Sequence, residues 1–275
     1  MNKMDGKICL VAGATQGLGA AIALRLAEAG AAGLVITGRS AEKGKALAQR
    51  IEAETGCSTH FIRADLTSVA DCKRVVNETE AESGALHVLV NAGALTDRGT
   101  ILDTTPELFD RMMATNLRGP FFLMQAAIRQ MIRHNIAGAI CNIGSMSALS
   151  GQPFLSAYST SKGALATLTA NTAFAVMKNR IRVNQINLGW MASDHEIALQ
   201  TTERGDADWL SKVASEQPFG RLIDPAEAAR AVNFLVSEDA GLMTGAVVNY
   251  DQSIWGAADQ MPIPDAPLSL PELAQ

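Results

Sequence analysis

Tyrosine is almost missing from this chain, with two in 275 residues, and all aromatics together make up 5%. Other scarcities exclude whole classes. Four cysteines, Cys9, Cys57, Cys72 and Cys141, stand far apart with no C-x-x-C pair. That excludes a zinc knuckle and a disulfide framework, and leaves buried free thiols as the expectation. No block of Lys and Arg occurs and the formal net charge is −5, so nothing is built to track phosphates and no nucleic-acid partner is expected. No apolar run approaches the roughly 18 residues needed to cross a bilayer, so no membrane is expected either. A glycine-rich turn interrupts "MNKMDGKICLVAGA" where a secretory signal would need a continuous apolar core, and the expected location is the cytoplasm.

What is present is regular. Apolar residues make up 48% of the chain, an ordinary globular share. Short β-branched runs stand at 7–12, 33–37, 58–64, 87–91, 138–144, 181–187 and 246–250. Between them lie stretches such as "LGAAIALRLAEAG" and "AEKGKALAQRIEAET", apolar at three- and four-residue spacing. Strand and helix in alternation mean βαβ units with right-handed crossovers. The expected fold is α/β: a Rossmann-type doubly wound parallel sheet of about seven strands, with helices on both faces. No linker breaks the pattern, so residues 1–256 form a single domain. The tail 257–275 carries Pro262, Pro264, Pro267 and Pro271 and is expected to run extended.

In an open parallel sheet the ligand sits at the carboxyl ends of the strands. The first strand exits into "VAGATQGLGAAIA", where Gly13, Gly17 and Gly19 open the next helix. Glycines let the backbone approach a pyrophosphate, and the helix start offers free N–H groups. Tight strand-to-helix packing is the competing reading. Asp65 follows the third strand, either to accept from an adenine amino group or to cap a helix. Asn91, Ala92 and Gly93 follow the fourth and leave room for a flat ring. Ser145 follows the fifth, with "YSTSK" at 158–162 beyond it, and "NLGWMAS" follows the sixth.

Taken in order, "AGATQGLG", "NAG", Asn116 in "ATNLRG", Ser145 in "NIGS", and Tyr158 with Lys162 resemble the short-chain dehydrogenase/reductase (SDR) family over roughly residues 5–253. The resemblance implies a nicotinamide cofactor and a catalytic tetrad of Asn116, Ser145, Tyr158 and Lys162. It assigns cofactor contacts to Gly13, Thr15, Gln16, Gly17, Leu18, Gly19, Arg39, Asp65, Leu66, Asn91, Ala92, Gly93, Tyr158, Lys162, Gly189, Met191 and Ser193. It also implies a homotetramer, formed through helices near 106–134 and 157–177. The chemistry supports Tyr158 separately: carbonyl reduction needs an acid beside the hydride donor, and alcohol oxidation needs a base. A free phenol titrates near pH 10. Lys162 is one helical turn away on the same face, so its ammonium is expected to favour the phenolate. In the family manner, Lys162 would also hold the nicotinamide ribose, and Ser145 would polarise the substrate carbonyl.

Asn116 lies in a helical pattern spanning 106–135, and Pro120 has no N–H to bond its carbonyl. A kink is expected at Gly119-Pro120, with the freed carbonyl binding a water that joins Lys162 to a proton path. An ordinary packing kink is the other reading. The chain departs from the family at Ala12, Val90 and Leu188, where threonine, asparagine and proline are usual. Ser193 keeps the hydroxyl of a family threonine. After the second strand Gly38 stands where an NAD-selective enzyme would place an acid, and Arg39 follows, so the cofactor is NADP or NAD with a lean toward NADP. Gln16, at a position often basic in NADP users, argues the other way.

Residues 190–222 are expected to form a flexible substrate lid. Its polar residues, Asp194, His195, Glu196 and Gln200, suit a sugar or polyol hydroxyl, though solvated loop residues look the same. No third ligand accompanies Asp194 and His195, so no metal is expected. Three functions remain open. The first is an oxidoreductase for small polar alcohols and ketones; the second is a reductase of carrier-bound oxoacyl groups, which would need a basic patch by the lid; the third is an idle redox sensor.

Overall fold

The structure is a computed structural model that describes residues 3–149 and 151–253. The proline-rich tail at 257–275 lies outside the described residues. Seven strands form one sheet: β1 (Ile8–Ala12), β2 (Gly33–Gly38), β3 (Thr59–Arg63), β4 (Val88–Asn91), β5 (Ala139–Ser145), β6 (Arg182–Leu188) and β7 (Val247–Tyr250). Their order is β3-β2-β1-β4-β5-β6-β7, and every neighbouring pair is parallel. This is the Rossmann-type doubly wound sheet expected from the alternation.

The pleat explains the apolar runs. Cys9 and Val11 of β1 face a cluster shared with α1 (Gly17–Glu28), α2 (Ala41–Thr55) and α9 (Pro225–Val236). Leu10 and Ala12 face the opposite cluster, with α3 (Val69–Ser83), α5 (Gly119–Arg133) and α6 (Ser156–Val176). Successive side chains point to opposite faces and both faces are covered, so β1 is apolar throughout, while the buried amides of β5 and β6, such as Asn142, Asn184 and Gln185, are hydrogen-bonded. All four cysteines are free and buried. Burial pushes the Cys141 thiol up to about 12, so it stays a small apolar side chain.

Local chemistry sets the helix ends. Ser40 accepts from the Lys43 amide at 3.4 Å, and Ser68 from the Asp71 amide at 3.2 Å. Gly56 ends α2 in the left-handed conformation, φ 72°, which a residue with a Cβ adopts reluctantly. The 106–135 pattern is a continuous helical run over residues 106–133 that carries a π-helical turn. α4 (Pro106–Met113) passes into a π-helical turn over Ala114–Arg118 before α5 begins. The Gly119 N–H bonds the Ala114 carbonyl, five residues back. The expected break at Gly119-Pro120 therefore starts five residues earlier, and Pro120 falls inside the first turn of α5, where its missing N–H costs little.

Residues 190–222 contain α7 (Asp194–Arg204) and α8 (Trp209–Glu216). They have their own apolar cluster, in which buried Trp209, Val213 and Leu222 pack with Trp190 and Ile197. Among the described residues no helix is long and apolar enough to cross a membrane.

One pH dependence follows from the β1–β4 edge. The His87 ring Nδ1 accepts from the Ile8 amide at 3.2 Å, and burial, with Lys7 nearby, holds its pKa below the usual value. The unfolded chain therefore binds the proton more readily than the folded one, and stability is lost as pH falls below about 6.5. Melting temperatures at pH 7.5 and 5.5 should show the drop, and His87→Gln, which cannot titrate, should reduce it.

Candidate active site

The turn after β1 is held by backbone contacts that leave no room for side chains. The Gly13 and Ala14 amides both bond the Thr37 carbonyl, at 2.9 and 3.0 Å. Gly13 has φ +80°, and a Cβ there would lie 2.2 Å from the Cα of Gly93 at the end of β4. A Cβ on Gly19 would lie 2.2 Å from the Gly13 carbonyl oxygen. Leu66 closes the crevice, since a Cβ on Gly93 would meet its side chain at 2.4 Å. Gln16 precedes α1 without any side-chain cap, and the first turn holds no acid. The opening amides of α1 are thus left for an anion, at the point where the strand order reverses. A cradle of this shape fits the pyrophosphate of a dinucleotide. Ala92 lies across from it, its amide on the Ala12 carbonyl at 2.9 Å.

A cavity of about 830 Å³ opens beside this crevice. Ser145 and Tyr158 line it, with Gly189, Met191 and Ser193 from the segment after β6. Lys162 lies behind them, 2% exposed, its Nζ 2.7 Å from the Ile143 carbonyl and 5.7 Å from the centre of the Tyr158 ring. Ser145 accepts from the Ser147 hydroxyl at 2.8 Å and the Ser147 amide at 3.2 Å. Its own O–H is left to donate. Asn116 is further back. Its side chain accepts from the Leu95 amide at 2.8 Å and donates to the Leu95 carbonyl at 2.9 Å and to Ser161 Oγ at 3.1 Å. It braces the loop after β4 against α6.

The ionisation of this group differs from the expectation that Lys162 favours the phenolate. Burial pushes the Tyr158 phenol above its ordinary value; a hydrogen bond with Ser145 pulls it down, and Glu196 pushes it up. Burial also pushes the Lys162 ammonium down to about 8. Desolvation is the largest influence on both groups, and the neutral forms gain.

A family model described as Enoyl-(Acyl carrier protein) reductase matches residues 13–252, the span that builds both crevice and cavity. The chain belongs to the short-chain dehydrogenase/reductase family. It is 31% identical to the probable galactose dehydrogenase of Rhizobium meliloti, over 90% of this chain and 94% of that protein. It is also 31% identical to a 3-oxoacyl-[acyl-carrier-protein] reductase of Aquifex aeolicus, over 90% and 96%. A short-chain type dehydrogenase/reductase from Mycobacterium marinum superposes with a TM-score of 0.82 at 29% identity, covering 91% of this chain and 96% of that one. The chain is an oxidoreductase of the SDR type, a family whose members bind a nicotinamide cofactor and small substrates.

The remaining SDR positions are placed as follows. Thr15 packs against Gly38, where a Cβ would lie 2.6 Å from the Thr15 methyl, so a side chain at Gly38 would require Thr15 to shift. Gly17 lies near Ser193, to which a Cβ would approach within 3.9 Å, and Leu18 packs on the core. Asp65 accepts from the Thr67 amide and hydroxyl, both at 2.9 Å. It closes a turn; Ser68 is the cap of α3. Asn91 turns its side chain inward to donate to Asn142 at 2.8 Å, so only its backbone reaches the crevice. Ser193 caps α7 through the Glu196 amide at 3.3 Å and can still donate its own hydrogen. Ala12, Val90 and Leu188 are buried strand residues. Among the described residues no group of three or more His, Cys, Asp or Glu side chains is assembled to hold a metal ion.

Two functional candidates escaped the sequence reading. Ser147 orients Ser145, and the only signal was its two-residue spacing. Lys43 of α2 places its Nζ 2.9 Å from Gln16 Oε1, bringing a cation to the glycine turn from the next helix.

Proposed function

We propose that this SDR enzyme interconverts small polar secondary alcohols and ketones, of the sugar or polyol kind, with Tyr158 as acid and base and with NADP preferred. The observation that carries the reading is that Tyr158 and Ser145 share one cavity wall, with the Lys162 side chain buried directly behind. The nicotinamide supplies or accepts the hydride. Ser145, its lone pairs occupied by Ser147, donates to the substrate oxygen and fixes it beside Tyr158. The Tyr158 phenol gives its proton to that oxygen as alkoxide character develops, and takes it back in oxidation. Lys162 would hold the nicotinamide ribose hydroxyls, and its ammonium, one helical turn from Tyr158, would favour the phenolate. Asn116 positions the loop after β4 and serves the proton path behind Lys162.

The cofactor preference rests on charge at the end of β2. Gly38 offers no carboxylate, the Arg39 side chain is exposed with no partner among the described residues, and Lys43 supplies the cation that Gln16 lacks. Titration of the cofactor-free protein with 2′,5′-ADP and 5′-AMP tests this directly. Arg39→Ala and Lys43→Ala should each weaken 2′,5′-ADP by about tenfold or more, the scale of one charge-assisted hydrogen bond, and leave 5′-AMP unchanged. Equal loss for both ligands would count against a 2′-phosphate site.

The carrier-bound oxoacyl reading would need a basic patch by the lid. Among the described residues Arg98, Lys212 and Arg221 are paired with Glu203, Asp206 and Glu227, so these three form no free patch for an acidic carrier. Exposed Phe121, Ile132 and Phe174 on α5 and α6 support the homotetramer, which light scattering would check. A spectrophotometric screen of polyols, sugars and ketones with NADP and NAD tests the reaction itself.

A further inference from the structure

Most charged side chains around the cavity are engaged with one another. Arg98 pairs with Glu203 at 2.8 Å and lies over the Phe154 ring, and Asp251 takes the Ser253 hydroxyl. Glu196 is arranged differently. Glu196, Gln200 and Arg204 follow at four-residue spacing on one face of α7. Arg204 can only donate, and its Nε–H goes to Gln200 Oε1 at 2.8 Å. The Gln200 amide must therefore present its NH2 the other way, and Nε2 donates to Glu196 Oε1 at 3.0 Å. Trp190 Nε1, also a donor only, reaches the same oxygen at 3.0 Å. The far end of the chain is fixed too. The Arg204 guanidinium lies 5.7 and 5.6 Å from the ring centres of Trp190 and Trp209, which stack 5.9 Å apart.

One carboxylate oxygen is thus loaded with two donors, and the other has no partner among the described residues. A local role is not what holds the side chain. "SDHE" is the sequence of a capping box, in which Glu196 would reach back to the Ser193 amide. That amide instead bonds the Met191 carbonyl at 3.0 Å, and the carboxylate turns to the cavity that it shares with Tyr158.

We propose that Glu196 is a specificity-determining residue whose open oxygen accepts a hydroxyl of a neutral polyhydroxylated substrate, next to the carbon that reacts at Tyr158, and turns away substrates bearing an acid group there. The assignment rests on Tyr158 being the acid/base. A pre-placed acceptor is left unpaired by an analogue that lacks the hydroxyl, which penalises that analogue far more than lost contact area would. A carboxylate in the same place meets like charge, because Glu196, Glu203 and Asp251 outnumber Arg98 and Arg204 on the cavity wall.

The test compares wild type, Glu196→Gln and Gln200→Leu on sorbitol and galactitol, on gluconate and galactonate, and on 2-butanol as the mono-hydroxyl reference. Glu196→Gln should lower the hexitol to 2-butanol ratio of kcat/KM at least tenfold, mainly through KM, and raise the aldonate to hexitol ratio. Gln200→Leu, which removes one donor and no charge from Glu196, should move both ratios part of the way. A second readout is the pH profile of oxidation. Tyr158 is faced by Glu196 from α7, Lys162 from its own helix and Ser145 from β5, with Asp251 and Arg98 further along the wall. Loss of the Glu196 charge should carry the acid limb to lower pH. Ratios within twofold of wild type in both variants, with unchanged melting temperature, would overturn the Glu196 assignment alone. A wild type that oxidises 2-butanol but no hexitol would overturn the polyol class and this assignment together, and leave Tyr158 in place.

Discussion

Tyr158→Phe is expected to lower kcat by about 10³-fold in both directions, within the range a positioned acid or base contributes, while the fold and cofactor affinity stay near wild type. The substitution removes one oxygen from a ring that stays packed at the start of α6, so little stability is at stake. What it removes is the group that Ser145 hydrogen-bonds and Glu196 repels electrostatically. Steady-state rates, a melting curve and a cofactor titration measured together separate the chemistry from the scaffold. Less than a tenfold loss of kcat would mean that another group moves the proton. Because burial raises the phenol above its ordinary value, oxidation in the wild type should accelerate as pH rises toward the alkaline range, and that rise should vanish in the phenylalanine variant.

Gly13→Ala should be the most damaging single methyl group in the chain, costing on the order of 3–5 kcal/mol and abolishing dinucleotide binding. Two penalties add there. An alanine at φ +80° is strained by roughly 1–2 kcal/mol, and its Cβ would lie 2.2 Å from Gly93 Cα and 2.4 Å from Gly93 N. Both are backbone atoms at the ends of paired strands, so neither can swing aside as a flexible side chain would. Gly6→Ala is the control, because Gly6 has φ +71° with nothing within 4 Å of the added atom. It should show the conformational cost alone. Urea unfolding of the two variants, with 5′-AMP titration of each, measures the difference; similar losses at both sites would mean that the β1–β4 crevice yields.

The strands were legible because both faces of the sheet are covered. A strand buried on two sides favours a near-continuous apolar run, as in β1, β2 and β4, and the buried amides of β5 and β6 are the exceptions that hydrogen bonds allow. Tyr158 and Lys162 were legible as a pair because four residues make one helical turn, whereas the roles of Ser145 and the glycine turn were legible through the resemblance to the SDR family. The 106–135 helix was read less well. A π-turn over Ala114–Arg118 satisfies the backbone through bonds five residues apart, and apolar periodicity does not register the change of one residue. Asp65 and Asn91 were placed at strand ends correctly, but the direction of their side chains depends on Thr67 and Asn142, partners chosen by the folded chain.

Covalent order along the chain was enough to predict a doubly wound sheet, a glycine-rich turn that opens a helix and a tyrosine-lysine pair on one helical turn, because each is signalled by residues within a few positions of one another. Long-range packing settled the rest. Lys43 meets Gln16 only once α2 lies beside the turn. Burial, with Glu196 nearby, pushes the Tyr158 phenol above its ordinary value, and the Lys162 ammonium points to the Ile143 carbonyl. Glu196 offers one open oxygen because an arginine held over two tryptophans orients the glutamine between them, and hydrogen-bond direction of that kind exists only in three dimensions.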